Sequence, residues 1–178
     1  MNREELSLLV EAIAFAAHKH KDQRRKDEAA SPYINHPLAL ADVLVNEGGV
    51  TDLNTIVAAV LHDTIEDTET TPEEIDARFG ATVCAIVEEV TDDKTLDRQT
   101  CEQAQIDKAH RLSRPARAVK LADKICNLRD VADNPPAGWT LARRQAYFDW
   151  AKQVIDGLRG EYPDLESIFD AVYRQRPA

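Results

Sequence analysis

Residues 58–70, AAVLHDTIEDTET, place four ionisable side chains in and just after an apolar run: His62, Asp63, Glu66 and Asp67. A polar group in an apolar run costs free energy unless a partner satisfies it. On a helix, residues four apart lie on one face, which pairs His62 with Glu66. The same spacing pairs Asp63 with Asp67. Because imidazole and carboxylate groups bind divalent cations, the pattern predicts a metal site at the first two residues, with the later carboxylates bordering it.

Two ligands rarely hold a metal ion, so further ligands are expected elsewhere in the chain. His36 lies in YINHP, and Asp123 lies among apolar neighbours in VKLADKICNL. An unpaired carboxylate in such surroundings would be costly. The resulting set has two histidines and two aspartates: His36, His62, Asp63 and Asp123. Four ligands on a six-coordinate ion would leave room for water and a substrate oxygen, which is typical of a catalytic site.

Each of these residues also has a simpler explanation. A single histidine in a helix is more often a core or surface residue than a ligand. The three histidines outside the set are interpreted in this way: His18, His20 and His110. Glu66 and Asp67 could be solvated charges at a helix end, and Asp123 could pair with an arginine. The order of the residues and their apolar context favour the metal site but leave these alternatives open.

The elements that position these side chains are predicted to be helices. Apolar residues three and four apart mark one face of a first helix that ends near residue 20: Leu6, Leu9, Val10, Ile13 and Ala17. Proline and capping signals predict helices that begin at about residues 35, 53 and 71, the second of them running to about residue 67. A further helix is expected through Ala85, Ile86, Val87 and Val90, and others at about 100–112, 115–131, 140–159 and 164–175. No stretch alternates with period two, so we expect an all-α bundle of eight or nine helices.

Composition narrows the classes of function. The length of 178 residues suits a single domain, 1–178, and the formal net charge is −10. An acidic protein is a poor partner for nucleic acid or an anionic membrane, whereas a small polyanion could bind at a local positive site. Three cysteines without paired spacing indicate reduced thiols in a cytoplasmic protein. The sequence shows neither a signal peptide nor an apolar run near the ~20 residues of a membrane span.

Longer stretches of the chain resemble a known family. The pattern H…HD…D resembles the metal-dependent HD-domain phosphohydrolases. An ordered set of segments is similar to the hydrolase domain of RelA/SpoT homologues, particularly the small single-domain alarmone hydrolases of the metazoan SpoT homologue type. The similarity covers about residues 10–160. Its segments are RRKD (24–27), SPYINHPLALA (31–41), AAVLHDTIEDT (58–68), EEVTDDKTL (88–96), VKLADKICNLRD (119–130), GWT (138–140) and YFDWAKQV (147–154).

The resemblance implies an all-helical HD-domain fold, one Mn²⁺ ion and removal of the 3′-diphosphate from guanosine tetra- or pentaphosphate. The products would be GDP or GTP and pyrophosphate. The chain ends too early for the synthetase domain of long relatives, so degradation without synthesis is expected. The implied residues are the metal ligands His36, His62, Asp63 and Asp123, the catalytic pair Glu66 and Asp67, and the nucleotide contacts Arg25, Lys26, Asn127 and Tyr147.

Two other functions stay open. The same pocket could remove a phosphate from another nucleotide, such as NADPH, or the protein could be a non-catalytic nucleotide sensor. One segment also departs from the family, because DRQTCEQAQ follows TDDKTL where relatives carry a basic run. Thr100, Cys101 and Glu102 replace that positive charge. The affinity for phosphorylated nucleotides, or the preference among them, is therefore left undecided.

Overall fold

Ten α-helices follow one another in the computed structural model, which describes residues 1–178. The helices are α1 (Arg3–Lys19), α2 (Asn35–Asp42), α3 (Leu53–Leu61), α4 (Thr64–Asp67), α5 (Pro72–Phe79), α6 (Ala81–Val90), α7 (Arg98–Lys108), α8 (Arg114–Asp133), α9 (Leu141–Asp156) and α10 (Pro163–Tyr173). A π-helical turn (Val43–Glu47) continues α2, and a 3-10 turn (Ala109–Arg111) follows α7. The only β-type pairing is an isolated bridge between Arg24 and Pro32. The expectation of an all-α fold is confirmed.

Helices α3 and α8 lie at the centre of the bundle. Every residue of α3 from Thr55 to Leu61 is buried, and α8 packs against α2, α3, α6, α9 and α10. The core is one continuous cluster of 38 buried residues that draws on both ends of the chain, from Ala12 to Val172. Side chains that leave these two helices therefore enter the interior, where a polar group needs a partner. None of the ten helices combines the length and the apolar composition that crossing a membrane requires.

Local signals explain where most helices begin. Thr71 caps α5, since its hydroxyl accepts a hydrogen bond from the Glu74 N–H at 3.3 Å, and Pro72 follows at the first position. Both features favour a helix start. Gly80 separates α5 from α6 with a φ of 87°. Glycine adopts that left-handed conformation without the clash that a Cβ would cause, which allows two short helices to meet at an angle.

The prediction of one helix from residue 53 to about 67 is wrong in one respect. Regular helix ends at Leu61 and resumes at Thr64. The ring Nδ1 of His62 lies 2.8 Å from the Ala59 carbonyl oxygen, and the Thr64 hydroxyl donates to the Leu61 carbonyl at 2.7 Å. These side chains compete for carbonyls that would otherwise accept from the next helical turn.

The buried face of α1 also differs from the predicted one. Leu6 and Val10 are about half exposed, whereas Ala12, Phe15 and Ala16 are buried. The helix itself is present as expected, and Leu9 and Ile13 pack at the margin of the core. The spacing of apolar residues predicted the helix, but two rows of apolar residues on α1 have this spacing. The bulky Phe15 packs edge-on against Phe79 of α5 and selects the stripe that faces inward.

Candidate active site

Three buried side chains from three helices converge beneath the surface. His36 comes from α2, His62 follows α3, and Asp123 comes from the middle of α8, and their candidate ligand atoms all lie within 4.8 Å of one another. Nδ1 of His36 is buried without a hydrogen-bond partner, and Nε2 of His62 makes no hydrogen bond of good geometry although an Asp63 carboxylate oxygen lies 2.9 Å away. Orphaned buried nitrogens cost free energy. A divalent cation would supply the missing partner, so the donor set fits a metal ion.

Asp63 lies beside this cluster and contacts both histidines. Its Oδ2 atom is 2.9 Å from Nε2 of His62 and 3.9 Å from Nε2 of His36. The same oxygen accepts a hydrogen bond from the Tyr33 hydroxyl. The structure thus brings all four expected ligand residues to one place. Asp63 stands at its edge, because only the other three each place one ligand atom within 4.8 Å of the other two.

Burial and neighbouring charges shift the pKa values of the residues in this cluster. Burial opposes ionisation of Asp123, but Lys124 and His36 outweigh it and hold the pKa of the carboxyl well below its usual range. Burial also opposes protonation of His62, yet the adjacent Asp63 carboxylate raises the pKa of the imidazole to about 9. Burial lowers the pKa of His36. The Asp63 carboxylate therefore favours a proton on His62, whereas burial disfavours one on His36.

Glu66 and Asp67 on α4 lie next to the metal-donor cluster, but their carboxylates have different partners. Both line an inner chamber of about 170 Å³ together with the metal-donor residues. Glu66 Oε2 accepts a hydrogen bond from the Asp92 N–H at 3.0 Å, and Asp67 forms an ion pair with Lys94. Burial raises the pKa of Glu66, although the Asp92 N–H partly offsets it. One carboxyl thus faces a neutral donor and the other a cation.

The inner chamber joins a larger outer cleft of about 810 Å³. That volume lies in the range of small-molecule sites, roughly 300–1,000 Å³. Five residues line both spaces and so mark their junction: Arg25, Tyr33, His36, Asp67 and Asn127. Asn127 donates through Nδ2 to Asp123 Oδ1 at 2.5 Å, while its Oδ1 accepts from Arg25 at 3.3 Å. The amide therefore connects the metal-donor cluster to the arginine.

The four residues expected to contact a nucleotide all line the outer cleft: Arg25, Lys26, Asn127 and Tyr147. Arg25 forms an ion pair with Asp130 and lies over the Tyr33 ring at 5.7 Å. Tyr147 packs edge-on against Trp139 at 5.4 Å. Together the lining offers cations for phosphate groups and an aromatic wall for a flat ring.

Only some of the cleft's cations are free to meet a ligand. Arg25, Lys94 and Arg129 each pair with a carboxylate, Arg129 through a two-pronged contact with Glu47. Arg24 donates only to backbone carbonyls, and Lys26 pairs with no carboxylate. Arg24 and Lys26 are therefore the lining cations without a carboxylate partner, although Asp27 and Asp42 line the same cleft.

Several residues of the site were missed by the sequence reasoning. Lys120 and Lys124 are buried on α8 and line the inner chamber. A signal was present, because two lysines four apart interrupt the apolar residues of VKLADKICNL. Asp92 and Lys94 belong to TDDKTL, which the sequence identifies only as part of a segment similar to the family. Tyr33 precedes His36 by one turn, but nothing in the sequence indicates that its hydroxyl reaches Asp63.

Helix α7, where the chain departs from the family pattern, lines neither space. The exposed Thr100 hydroxyl donates to Asp97, and the Glu102 carboxylate pairs with Arg98 of the same helix. The Glu102 carbonyl accepts from the Trp150 indole N–H at 3.1 Å. The lost basic residues therefore do not leave a gap in the wall of the outer cleft.

Comparison with known proteins agrees with this geometry. Residues 12–148 match the family model described as an HD domain. The mouse protein named guanosine-3′,5′-bis(diphosphate) 3′-pyrophosphohydrolase MESH1 is 49% identical over 97% of this chain and 96% of its own length. The Xenopus tropicalis protein of that name is 52% identical over 94% of this chain and 93% of its own length.

A solved structure shows the same fold. It is described as a metazoan ortholog of SpoT that hydrolyzes ppGpp, and it superposes with a TM-score of 0.93 at 45% identity, covering 96% of both chains. Similarity of this extent leaves no part of the site outside the matched region. The chain therefore belongs to the HD-domain family and, within it, to the small RelA/SpoT homologues of the MESH1 type.

Proposed function

We propose that this protein hydrolyses the 3′-diphosphate of guanosine tetra- or pentaphosphate and releases pyrophosphate and GDP or GTP. The main support for the proposal is that the inner chamber joins the outer cleft. A buried set of metal donors and a carboxylate pair lie at the bottom of an open cleft with free cations at its mouth. The relatives named above carry this activity in their names.

We propose that one Mn²⁺ ion is the cofactor, held by His36, His62, Asp63 and Asp123. The convergence of these side chains supports this assignment, because Nε2 of His36 lies 3.3 Å from Asp123 and Nε2 of His62 lies 2.9 Å from Asp63. Two imidazoles and two carboxylates form a ligand set of mixed hardness that suits Mn²⁺ and also accepts iron, cobalt or zinc. When bound, the ion withdraws charge from a phosphate group and lowers the pKa of water.

Glu66 and Asp67 would act as the general acid and base that transfer protons in the reaction. Hydrolysis adds water across the bond between the 3′-oxygen and phosphorus, so one proton leaves the water and one reaches the departing 3′-oxygen. Both carboxyl groups border the inner chamber in which that bond would lie. General acid–base help of this kind is worth about 10²- to 10⁴-fold in rate.

The outer cleft would bind the rest of a small polyanionic nucleotide. Arg24 and Lys26 offer unpaired positive charge, and Arg25 can exchange Asp130 for a phosphate because a guanidinium binds either group through a two-pronged contact. Asn127 would hold Arg25 at the entrance to the inner chamber. Tyr147 and Trp139 would face the nucleoside. These contacts concentrate positive charge locally, which an acidic protein needs to attract an anion.

We also propose that residues 1–178 act as a single hydrolase domain in the cytoplasm. The continuous core from Ala12 to Val172 supports one folding unit. Three free cysteines support a reducing compartment.

One assay of the purified protein tests the function. Guanosine tetraphosphate, guanosine pentaphosphate and NADPH are each incubated with chelator, Mn²⁺ or Zn²⁺, and the products are identified. We expect pyrophosphate from the guanosine substrates only when metal is present. Phosphate release from NADPH alone would favour the other phosphatase function, and tight binding of guanosine tetraphosphate without turnover would favour a sensor.

A further inference from the structure

Glu66 receives a single hydrogen bond from the protein. Its Oε2 atom accepts from the backbone N–H of Asp92 at 3.0 Å, and its carboxylate has no other hydrogen bond or ion pair. Asp92 lies in the segment 91–97 between α6 and α7, which is not helical. The position of that N–H therefore depends on whatever holds this segment in place.

The side chain of Asp92 holds this segment in place. It is 13% exposed, and Oδ1 accepts from Lys108 Nζ at 3.1 Å while Oδ2 accepts from the Gln105 amide. Lys120 of α8 lies 3.7 Å from the same carboxylate. A carboxylate this far from water persists only with such partners. Helices α7 and α8 thus hold Asp92 from two sides.

The same lysines also hold the backbone just before the contact. Lys108 Nζ donates to the Thr91 carbonyl at 3.1 Å, and Lys120 Nζ donates to the Val90 carbonyl at 3.1 Å. Each ammonium group therefore ties the Asp92 carboxylate to the chain just before it. The peptide N–H that meets Glu66 is fixed by these ties and not by a helix.

We propose that Asp92 is a positioning residue that holds the Glu66 carboxylate in the inner chamber through its backbone N–H. The proposal rests on the proposed function, because it assigns Glu66 a part in hydrolysis. It also gives α7 a role, since Gln105 and Lys108 reach the site only through Asp92. The segment that departs from the family pattern, DRQTCEQAQ, thus ends with Gln105, which donates to the Asp92 carboxylate.

The test compares Asp92→Asn with Asp93→Asn in the Mn²⁺-loaded full chain. Asp93 is the adjacent aspartate, is exposed, and contacts only Thr95. With guanosine tetraphosphate we expect Asp92→Asn to lower kcat about 10- to 100-fold, because a small misplacement of a catalytic group has that effect. KM should stay within about twofold, since the nucleotide cleft is untouched. Asp93→Asn should match the wild type, and Mn²⁺ content should be equal in all three proteins.

A double-mutant cycle separates positioning from general damage. If Asp92 acts through Glu66, adding Asp92→Asn to Glu66→Gln lowers kcat no further. Equal losses in both backgrounds would overturn the proposal, as would wild-type kcat in Asp92→Asn. Lys108→Met, which keeps the length of the side chain, should lower kcat in the same direction if Asp92→Asn folds poorly.

Crystal structures of the wild type and of Asp92→Asn provide a readout that does not depend on turnover. We expect Glu66 to leave the residue-92 N–H in the variant, and an unchanged hydrogen bond would overturn the proposal. Absence of turnover in the wild type would instead contradict the proposed function. The structural comparison would then still decide whether Asp92 positions Glu66.

Discussion

Nε2 of His36 lies 3.3 Å from Oδ1 of Asp123, across the contact between α2 and α8. The same aspartate accepts hydrogen bonds from Lys124 at 3.1 Å and from Asn127 at 2.5 Å. Its carboxylate is therefore oriented by two donors while one edge faces the histidines. Ligands held in this way by surrounding hydrogen bonds bind a metal ion more tightly than mobile ones.

Replacing this aspartate should empty the metal site. We expect Asp123→Asn to lose stoichiometric Mn²⁺ after dialysis, because a neutral amide oxygen is a weaker ligand than a carboxylate. Metal content is measured by elemental analysis, and circular dichroism verifies the fold. Asp133→Asn is the matched control, since Asp133 is exposed at the end of the same helix. Retention of one Mn²⁺ per chain in Asp123→Asn would show that the ligand set is wrong.

Metal affinity should rise with pH. The Asp63 carboxylate raises the pKa of His62 to about 9, so the metal-free protein holds a proton on a nitrogen that must be free to bind an ion. Since the cation and the proton compete for this imidazole, affinity increases up to about pH 9 and then levels off. The lowered pKa values of His36 and Asp123 add no further dependence in this range. Calorimetry in buffers of different ionisation enthalpy should detect proton release on binding at pH 7.5. Constant affinity between pH 7 and 9 would contradict this expectation.

Chemical type and apolar context were enough to predict the centre of the site. His62 and Asp123 stand out in the sequence because each interrupts an apolar run, and the structure shows that those runs form the two central helices. The nine expected helices are all present, with the third broken in two. Patterns of period 3.6 predict which segments are helical because burial of one face stabilises most helices.

Contacts made through the backbone or across long distances in the sequence could not be predicted in this way. The N–H of Asp92 that meets Glu66 leaves no trace in residue type, because every residue except proline carries that donor. The break after Leu61 depends on hydroxyl and imidazole groups that bond back to carbonyls. Such bonds compete with helical ones by small amounts of free energy, which local spacing does not reveal.

Glu66→Gln should retain the fold and the metal but lose most turnover. The amide keeps the size of the side chain and can still accept from Asp92, but it cannot take up or release a proton. We expect kcat to fall about 10²- to 10⁴-fold, with little change in Mn²⁺ content. Steady-state assays with guanosine tetraphosphate measure the loss. Glu11→Gln serves as the control, because Glu11 is exposed on α1 and makes no side-chain contact. A near-normal kcat in Glu66→Gln would remove this residue from the mechanism.

Arg25→Lys should weaken substrate binding although the positive charge is retained. Nη2 of Arg25 donates to both Asn127 and Asp130 while the planar guanidinium lies over Tyr33, and a lysine ammonium lacks the planar group that binds phosphate in a two-pronged way. We expect KM for guanosine tetraphosphate to rise about tenfold, the effect of losing about 1.4 kcal/mol of binding free energy. Mn²⁺ affinity should not change, because Arg25 contacts Asp123 only through Asn127. Arg174→Lys, at an exposed arginine after α10, controls for the substitution itself. An unchanged KM would mean that Arg25 serves to hold Asp130 and not to bind the nucleotide.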